Sequence, residues 1–197
     1  MKKKCVFIIP YFGQFKNYFS LFLESCAYNT DFDWIIFTDN EDSFDYPRNV
    51  KKIQMTFEKF KKIIQEKFEF KISLDAPYKL CDYKPAYGYI FEKMIMEYDY
   101  WGYCDCDLVF GSMNNFLSSV LDDGYDKVFA GGHCTIYRNT CENNRRFMSV
   151  SSRYGKLYKQ AYTSKRIFAF DEMCYGVNVH TLFLEETARV WTTDVQA

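Results

Sequence analysis

Apolar runs alternate with helix-periodic segments along the first half of the chain. Residues 5–9 form a short run of β-branched and aromatic residues, which is typical of a strand. The apolar positions that follow are Phe15, Tyr18, Phe19, Phe22, Leu23 and Cys26. Their helical spacing places one apolar stripe on an amphipathic helix. The chain is therefore predicted to open with a strand followed by a helix.

The same alternation continues toward the middle of the chain. Two more buried strands are predicted, one over residues 32–38 that ends in the polar turn 39–42, and one over residues 50–55. A basic amphipathic helix follows, with its apolar positions at Phe57, Phe60, Ile64 and Phe68. Proline is favoured at the first helical position, so another helix is predicted to begin at Lys84-Pro85. It leads into an apolar strand that starts near Trp101.

Strands alternating with helices are typical of an α/β fold with a mostly parallel central sheet flanked by helices. At 197 residues with 48% hydrophobic residues, the chain is expected to fold as one domain over residues 1–197. Ligands of such sheets bind beyond the carboxyl ends of the strands. The candidate residues at those ends are Tyr11, Phe12, Asp39, Asp105 and Asp107.

Charge and cysteine content narrow the classes of partner. Lys and Arg number 25 against 26 Asp and Glu, so no global positive field is expected to attract nucleic acid. The lysine-rich start imitates a secretory signal, but Pro10 and Lys16 interrupt its apolar run. No segment approaches the length of a membrane span, so the chain is expected to be soluble. Because no secretory signal indicates an oxidising compartment, a cytoplasmic location is expected. The eight cysteines are expected to be reduced thiols, with no zinc-site spacing among them.

Asp105 and Asp107 stand one residue apart in the apolar run WGYCDCDLVFG. A buried carboxylate is costly unless a cation or several hydrogen bonds compensate it. Residues i and i+2 of an extended segment face the same way, so both carboxylates are expected to converge on one manganese or magnesium ion. The alternative is that the pair is the solvated end of a strand. The glycine-rich phosphate-binding motifs are absent, so a bound nucleotide would need another counter-charge for its phosphates.

Six motifs in order resemble those of a group of bacterial glycosyltransferase-like proteins with the GT-A fold. They are IIPYFG, WIIFTDN, KLCDYKPAYGYIF, YWGYCDCDLVFG, GGHCTIYRN and FAFDEM. The resemblance covers nearly the whole chain and implies a Rossmann-like GT-A fold. It implies a nucleotide-sugar-binding half over residues 1–111 and an acceptor-side half over residues 112–197. Related enzymes usually continue further, so the chain is expected to be truncated at its C-terminus.

The resemblance also implies an activity and its partners. A metal-dependent glycosyltransferase would move a sugar from a nucleoside-diphosphate sugar, expected to be UDP-linked, to a hydroxyl of a carbohydrate or lipid-linked acceptor. The product would belong to bacterial surface polysaccharide or lipopolysaccharide. The enzyme would work in the cytoplasm, where a peripheral contact with the inner face of the cell membrane is compatible with the sequence.

Roles for individual residues follow from the same resemblance. Asp105 and Asp107 would hold the metal, and Asp105 would also reach the ribose. The base, ribose and phosphates would be bordered by Tyr11, Phe12, Asp39, Asp82 and Lys84. Gly132 and His133 would contact the acceptor sugar. Asp171 or Glu172 would be the catalytic base of an inverting reaction, or would stabilise the cationic sugar of a retaining one.

Each of these roles has a structural alternative. Tyr11 and Phe12 could be core aromatics, and Asp39 could be a turn former. Asp82 or Lys84 could polarise the start of the helix at Pro85. His133 could close the turn before the next strand. Asp171 could be the N-cap of the helix-like segment 173–184.

Two other functions compete with sugar transfer. The run DCDLV also matches the nucleophile loop of haloacid-dehalogenase-like phosphatases, in which Asp105 would attack phosphate. That motif normally follows the first strand of its domain, whereas several strands precede it here. The second alternative is a non-catalytic protein that binds a nucleotide or carbohydrate without turnover.

Overall fold

The computed structural model describes residues 4–173 and 176–192. Its strands in these residues are β1 (Cys5–Pro10), β2 (Phe32–Thr38), β3 (Val50–Gln54), β4 (Tyr100–Cys104), β5 (Lys127–Val128), β6 (Cys134–Arg138) and β7 (Val190–Trp191). They form one sheet with the order β3-β2-β1-β4-β6-β5-β7. The first four strands in this order run parallel, while β6 is antiparallel to both β4 and β5. At the far edge β7 pairs in parallel with β5.

Helices connect the strands and cover the sheet. They are α1 (Phe19–Tyr28), α2 (Phe57–Gln65), α3 (Tyr87–Ile90), α4 (Met113–Asp122), α5 (Leu157–Thr163) and α6 (Val179–Glu185). Two 3-10 helices, Pro77–Ala86 and Arg146–Met148, complete the described part of the chain. The predicted α/β fold with a mostly parallel sheet flanked by helices is confirmed, and it is compatible with a Rossmann-like fold.

The strands β1 and β4 are apolar along their whole length because both of their faces are buried. Successive residues of a strand point to opposite faces. Val6 and Ile8 of β1 therefore pack with Phe60 of α2 in one core cluster. Phe7 of β1 packs with Phe22 of α1 in the other. Continuous apolar runs are expected for parallel strands covered on both sides, which explains why these strands could be predicted.

The segment before β4 differs from its prediction. The helix does not begin at Lys84-Pro85: it begins at Pro77, is of the 3-10 type, and contains Pro85 inside it. Pro77 takes the first-turn position that proline favours. The α3 helix follows without a break and is only one turn long. This change from the α to the 3-10 period decides which side chains of the segment share a face.

Two further features bear on the predictions of location and redox state. None of the helices in residues 4–173 and 176–192 is long and apolar enough to cross a membrane. The cysteines of these residues are free thiols, and most of them are buried. Cys174 lies outside the described residues.

Gly102→Ala is expected to destabilise the fold by about 1–3 kcal/mol, the usual cost of overpacking a core. Gly102 lies in the central strand β4, where an added Cβ would be 2.6 Å from the Thr135 carbonyl oxygen and 3.1 Å from the Phe7 ring. Urea unfolding measures the change. Gly111→Ala is the matched control, because nothing lies within 4 Å of its added Cβ. Equal free energies of unfolding for the two variants would contradict this packing.

Candidate functional site

A cleft of about 910 Å³ opens at the carboxyl ends of β1 and β4. This is the edge at which α/β sheets bind ligands. Four segments line it: the residues after β1, the Pro77–Ala86 helix, the residues after β4 and the loop before α6. Of the predicted site residues, the lining contains Tyr11, Phe12, Lys84, Asp105, Asp107, Asp171 and Glu172.

Lys84 joins several of these segments at the floor of the cleft. Its Nζ donates to Oδ1 of Asp105 at 2.9 Å and to the Gly132 carbonyl oxygen at 2.7 Å. Oδ2 of Asp171 lies 3.2 Å away. An ammonium group has three donors, so these oxygens match its capacity. The side chains of Lys84 and Asp171 are 15% and 3% exposed, and the pair is therefore largely shielded from water.

Burial and charge act in opposite directions on this pair. Burial alone lowers the pKa of Lys84, but the charges of Asp171 and Asp105 outweigh it and raise that pKa above its ordinary value. Burial raises the pKa of Asp171 to about 7, although the Lys84 ammonium opposes the rise. Lys84 thus stays positively charged at neutral pH. Asp171 is poised to exchange a proton near pH 7, which is the property of an effective general base.

Asp105 directly follows β4 and Asp107 lies in the turn that comes next, so the two aspartates do not share one extended segment as expected. The Asp105 N–H donates to the His133 carbonyl oxygen at 2.9 Å, which anchors the first aspartate. Asp107 is exposed. The compensation for Asp105 comes at least in part from Lys84, a basic side chain that the metal hypothesis did not include.

The two aspartates offer an incomplete set of metal ligands. Within residues 4–173 and 176–192, no group of three or more His, Cys, Asp or Glu side chains could hold a metal ion. Magnesium in nucleotide sites is commonly bound by one or two carboxylates, with water and substrate phosphates completing the shell. Lys84 contacts Oδ1 of Asp105, which leaves Oδ2 and the exposed Asp107 carboxylate available. These donors fit a metal that arrives with a diphosphate.

Aromatic side chains form the wall of the cleft next to β1. Tyr11 stacks on Phe15 with ring centroids 4.6 Å apart, and its hydroxyl donates to the Gln14 carbonyl oxygen. Phe12 packs against Phe57 and Phe60 of α2. Both predicted aromatics therefore line the cleft while their rings also pack against the protein. The core alternative and the ligand role are compatible for these two residues.

Asp39 does not reach the cleft. It is exposed, and its Oδ1 accepts the Gly13 N–H at 2.7 Å. This bond ties the end of β2 to the loop after β1, which carries Tyr11 and Phe12. Asp39 thus makes a structural contact between two segments of the chain, which is neither the predicted contact with a nucleotide nor a local turn.

Asp82 is also kept away from the cleft, and this corrects its predicted contact with a nucleotide. Its side chain is 0% exposed and 2.6 Å from the Lys79 ammonium. Its carboxylate accepts the backbone N–H groups of Phe168 and Phe170. A carboxylate with these partners and no exposed surface cannot contact a ligand.

Gly132 and His133 contribute backbone atoms to the site. The Gly132 carbonyl binds Lys84, and a Cβ at Gly132 would lie 2.1 Å from Cγ of Glu172. Glycine is needed here because the Glu172 side chain packs directly against it. His133 is exposed and does not line the cleft, while its carbonyl anchors Asp105. The predicted acceptor contacts of both residues gain no support from this placement.

Asp171 and Glu172 both face the cleft, from the loop before α6. The N-cap alternative for Asp171 is wrong, because α6 begins at Val179 and Asn178 caps it. The Asn178 side chain accepts the His180 N–H at 3.0 Å. Asp171 is 2% exposed and instead faces Lys84.

Several cleft residues were not predicted from the sequence. Beside the predicted Lys84, the Pro77–Ala86 helix and the residue after it present Pro77, Tyr78, Leu80, Cys81 and Tyr87 to the cleft. Tyr78, Cys81, Lys84 and Tyr87 are spaced by three, the period of a 3-10 helix. The prediction began the helix at Lys84-Pro85 and therefore assigned no helical face to the residues before it.

Comparison with known proteins identifies the family of the chain. Residues 7–197 match DUF6625, a family of unknown function, and the chain belongs to that family. A search of curated proteins finds no match. A functional interpretation therefore depends on the geometry and chemistry of the cleft.

Lys84→Met is expected to destabilise the protein more at pH 8 than at pH 5. Burial holds the pKa of folded Asp171 near 7, so stability falls as pH rises from about 4, its unfolded value, to 7. Removing the ammonium raises that pKa further, so at pH 8 the folded variant must either bury an unpaired carboxylate or protonate it, and both are costly. Loss of one partner of a buried pair costs about 3–5 kcal/mol.

Urea unfolding at the two pH values measures this difference. The matched control is the double variant Lys84→Met/Asp171→Asn, which removes the unpaired carboxylate together with the ammonium. It is expected to recover part of the stability at pH 8 and to lose the pH dependence. A Lys84→Met variant equally destabilised at pH 5 and pH 8 would show that Lys84 does not compensate Asp171.

Proposed function

We propose that the protein is a GT-A-type glycosyltransferase that transfers a sugar from a nucleoside-diphosphate sugar, expected to be UDP-linked, to an acceptor hydroxyl. The observation that carries the proposal is the convergence of Lys84, Asp105 and Asp171 in a cleft at the carboxyl ends of β1 and β4. The cleft volume of about 910 Å³ lies within the usual range of ligand pockets, about 300–1,000 Å³. The ordered sequence motifs support the same function.

The donor side would lie between the aromatic wall and the residues after β4. Tyr11 and Phe12 would border the base, and Asp105 and Asp107 would hold the diphosphate through a manganese or magnesium ion. When bound, this ion would supply Lewis-acid stabilisation of the negative charge that develops on the leaving diphosphate. Lys84 adds a fixed positive charge at the same end of the cleft, where shielding from water strengthens its effect.

The acceptor side would lie near Asp171 and Glu172. In an inverting reaction, the acceptor oxygen forms a bond to C1 of the sugar as the bond from C1 to the diphosphate oxygen breaks. Asp171 would take the proton of the acceptor hydroxyl, a role that suits a carboxylate whose pKa burial raises to about 7. In a retaining reaction, Asp171 and Glu172 would stabilise the cationic sugar instead.

The phosphatase alternative has less support. Asp105 follows β4, the fourth strand of the chain, whereas the phosphatase motif normally follows the first strand. Oδ1 of Asp105 is also occupied by Lys84. A phosphoenzyme trapped on Asp105 would revive that alternative.

The cellular setting belongs to the same proposal. A carbohydrate or lipid-linked acceptor on the way to surface polysaccharide or lipopolysaccharide fits the proposed reaction. Synthesis from nucleotide sugars would place the protein in the cytoplasm, with peripheral contact at the inner face of the membrane.

UDP with manganese is expected to raise the melting temperature by about 5 °C or more at a hundredfold excess over Kd. Asp107→Asn should lose the manganese-dependent part of this rise because it removes an exposed metal ligand. Thermal shift with UDP in manganese or in EDTA measures both effects. Asp122→Asn, an exposed carboxylate on α4, is the control and should keep the full rise. Retention of the manganese-dependent rise in Asp107→Asn would count against the metal role.

Asp171→Asn is expected to lower kcat by about 10²–10⁴-fold, the usual contribution of a general base. In the wild-type protein, kcat should increase as pH rises through about 7, because the carboxylate must be deprotonated to accept the proton. A pH profile of sugar transfer measures both effects. This increase of kcat between acidic and neutral pH is the acid limb of the profile. Glu172→Gln is the comparison variant and should retain the acid limb. An acid limb that persists in Asp171→Asn would exclude Asp171 as the base.

A further inference from the structure

Asp82 does not line the cleft, but it binds the backbone of a loop that does. Its carboxylate accepts the Phe168 N–H at 3.1 Å on Oδ1 and 3.0 Å on Oδ2, and the Phe170 N–H at 3.0 Å on Oδ1. These donors belong to the loop that carries Asp171. Asp82 itself lies two residues before Lys84 on the Pro77–Ala86 helix. The bonds therefore connect the two segments whose side chains meet at the Lys84–Asp171 pair.

Lys79 completes this connection. Its Nζ lies 2.6 Å from Oδ2 of Asp82 and donates to the carbonyl oxygens of Ala161 and Arg166. Its three donors are thus directed at one carboxylate and two backbone oxygens. The side chains of Lys79 and Asp82 are 6% and 0% exposed. A buried ion pair is weak evidence for stability by itself, so its value here lies in the geometry that it imposes.

The backbone between the two bound N–H groups is strained. Ala169 has a φ of 50°, a left-handed conformation that is unfavourable for a residue with a Cβ. Asp82 binds the residue on each side of Ala169. Such conformations persist where the surroundings hold them, and they cluster at functional sites. The carboxylate is placed to hold this turn, which directs Asp171 back toward Lys84.

We propose that Asp82, neutralised by Lys79, is a positioning residue that holds the 168–170 turn and so sets Asp171 against Lys84. This inference rests on the proposed function, in which Asp171 is the base. It assigns Asp82 a role in the reaction without contact with the substrate. Lys79 and Asp82 lie on one face of the 3-10 helix, and Lys84 lies on the neighbouring face. The first pair thereby supports the contact between Lys84 and Asp171.

Asp82→Asn tests this role, since asparagine keeps the size but removes the charge and one acceptor oxygen. Hydrogen exchange of the amides in residues 166–172 should become about tenfold faster, a difference of about 1.4 kcal/mol in local opening. In a transfer assay, kcat should fall by up to about 10²-fold, the cost of a misplacement of about 1 Å. Water reaching Asp171 should lower its pKa, so the acid limb of kcat should move to lower pH.

Asp126→Asn is the matched control. Asp126 also accepts a backbone N–H, from Arg189 at 2.9 Å, and a side-chain N–H from Asn143, but it does not line the cleft. This variant should leave exchange in residues 166–172 and the acid limb unchanged. If Asp82→Asn does not fold, Lys79→Met/Asp82→Leu replaces it, because removing both charges leaves none unpaired. The same changes are expected for that double variant.

The two proposals fail in different ways. Unchanged exchange at Phe168 and Phe170 in the folded Asp82 variant would overturn the positioning role, whatever the activity. Faster exchange with an unshifted acid limb and an unchanged kcat would also overturn it. If the wild-type protein transfers no sugar while the exchange result is as expected, Asp82 still holds the turn and the proposed function is what fails.

Discussion

The burial of one positive charge organises this end of the molecule. The Lys84 ammonium lies against Asp105, Asp171 and the Gly132 carbonyl, with only a small part of its side chain exposed. A buried ammonium must keep its oxygen partners, because losing one leaves a charge uncompensated in a medium of low polarity. Its partners come from three different segments of the chain. Satisfying Lys84 therefore brings the walls of the cleft together.

The 3-10 geometry of the Pro77–Ala86 helix lets one short segment serve two purposes. With three residues per turn, Lys79 and Asp82 share one row of side chains, while Cys81 and Lys84 share the neighbouring row. The first row binds the backbone around Phe168 and Phe170, and the second faces the cleft. Lys79 and Asp82 thus lie on the row of side chains next to the one that carries Lys84, which contacts the proposed base Asp171. An α-helix would not keep these two rows in register over the same length.

Features that depend on residues close together in the sequence could be predicted, and features that depend on residues far apart in the chain could not. The strands β1 and β2 were predicted well, because parallel strands buried on both faces carry nearly unbroken apolar runs. Lys84, Asp105 and Asp171 were recognised as candidates because their motifs are local. The role of Asp82 could not be predicted, since its bonds reach residues 86 and 88 positions away in the chain. His133 was misplaced for a related reason, because it acts through a backbone carbonyl, which no side-chain pattern records.

The proposed function requires this cleft to bind a nucleoside diphosphate through a divalent ion at the aspartates after β4. Anomalous diffraction from crystals grown with manganese and UDP locates the ion and the nucleotide directly. One manganese peak is expected close to the Asp105 and Asp107 carboxylates and the diphosphate, with Lys84 still against Asp171. A nucleotide bound outside the cleft, or a diphosphate in the cleft with the manganese elsewhere, would contradict it.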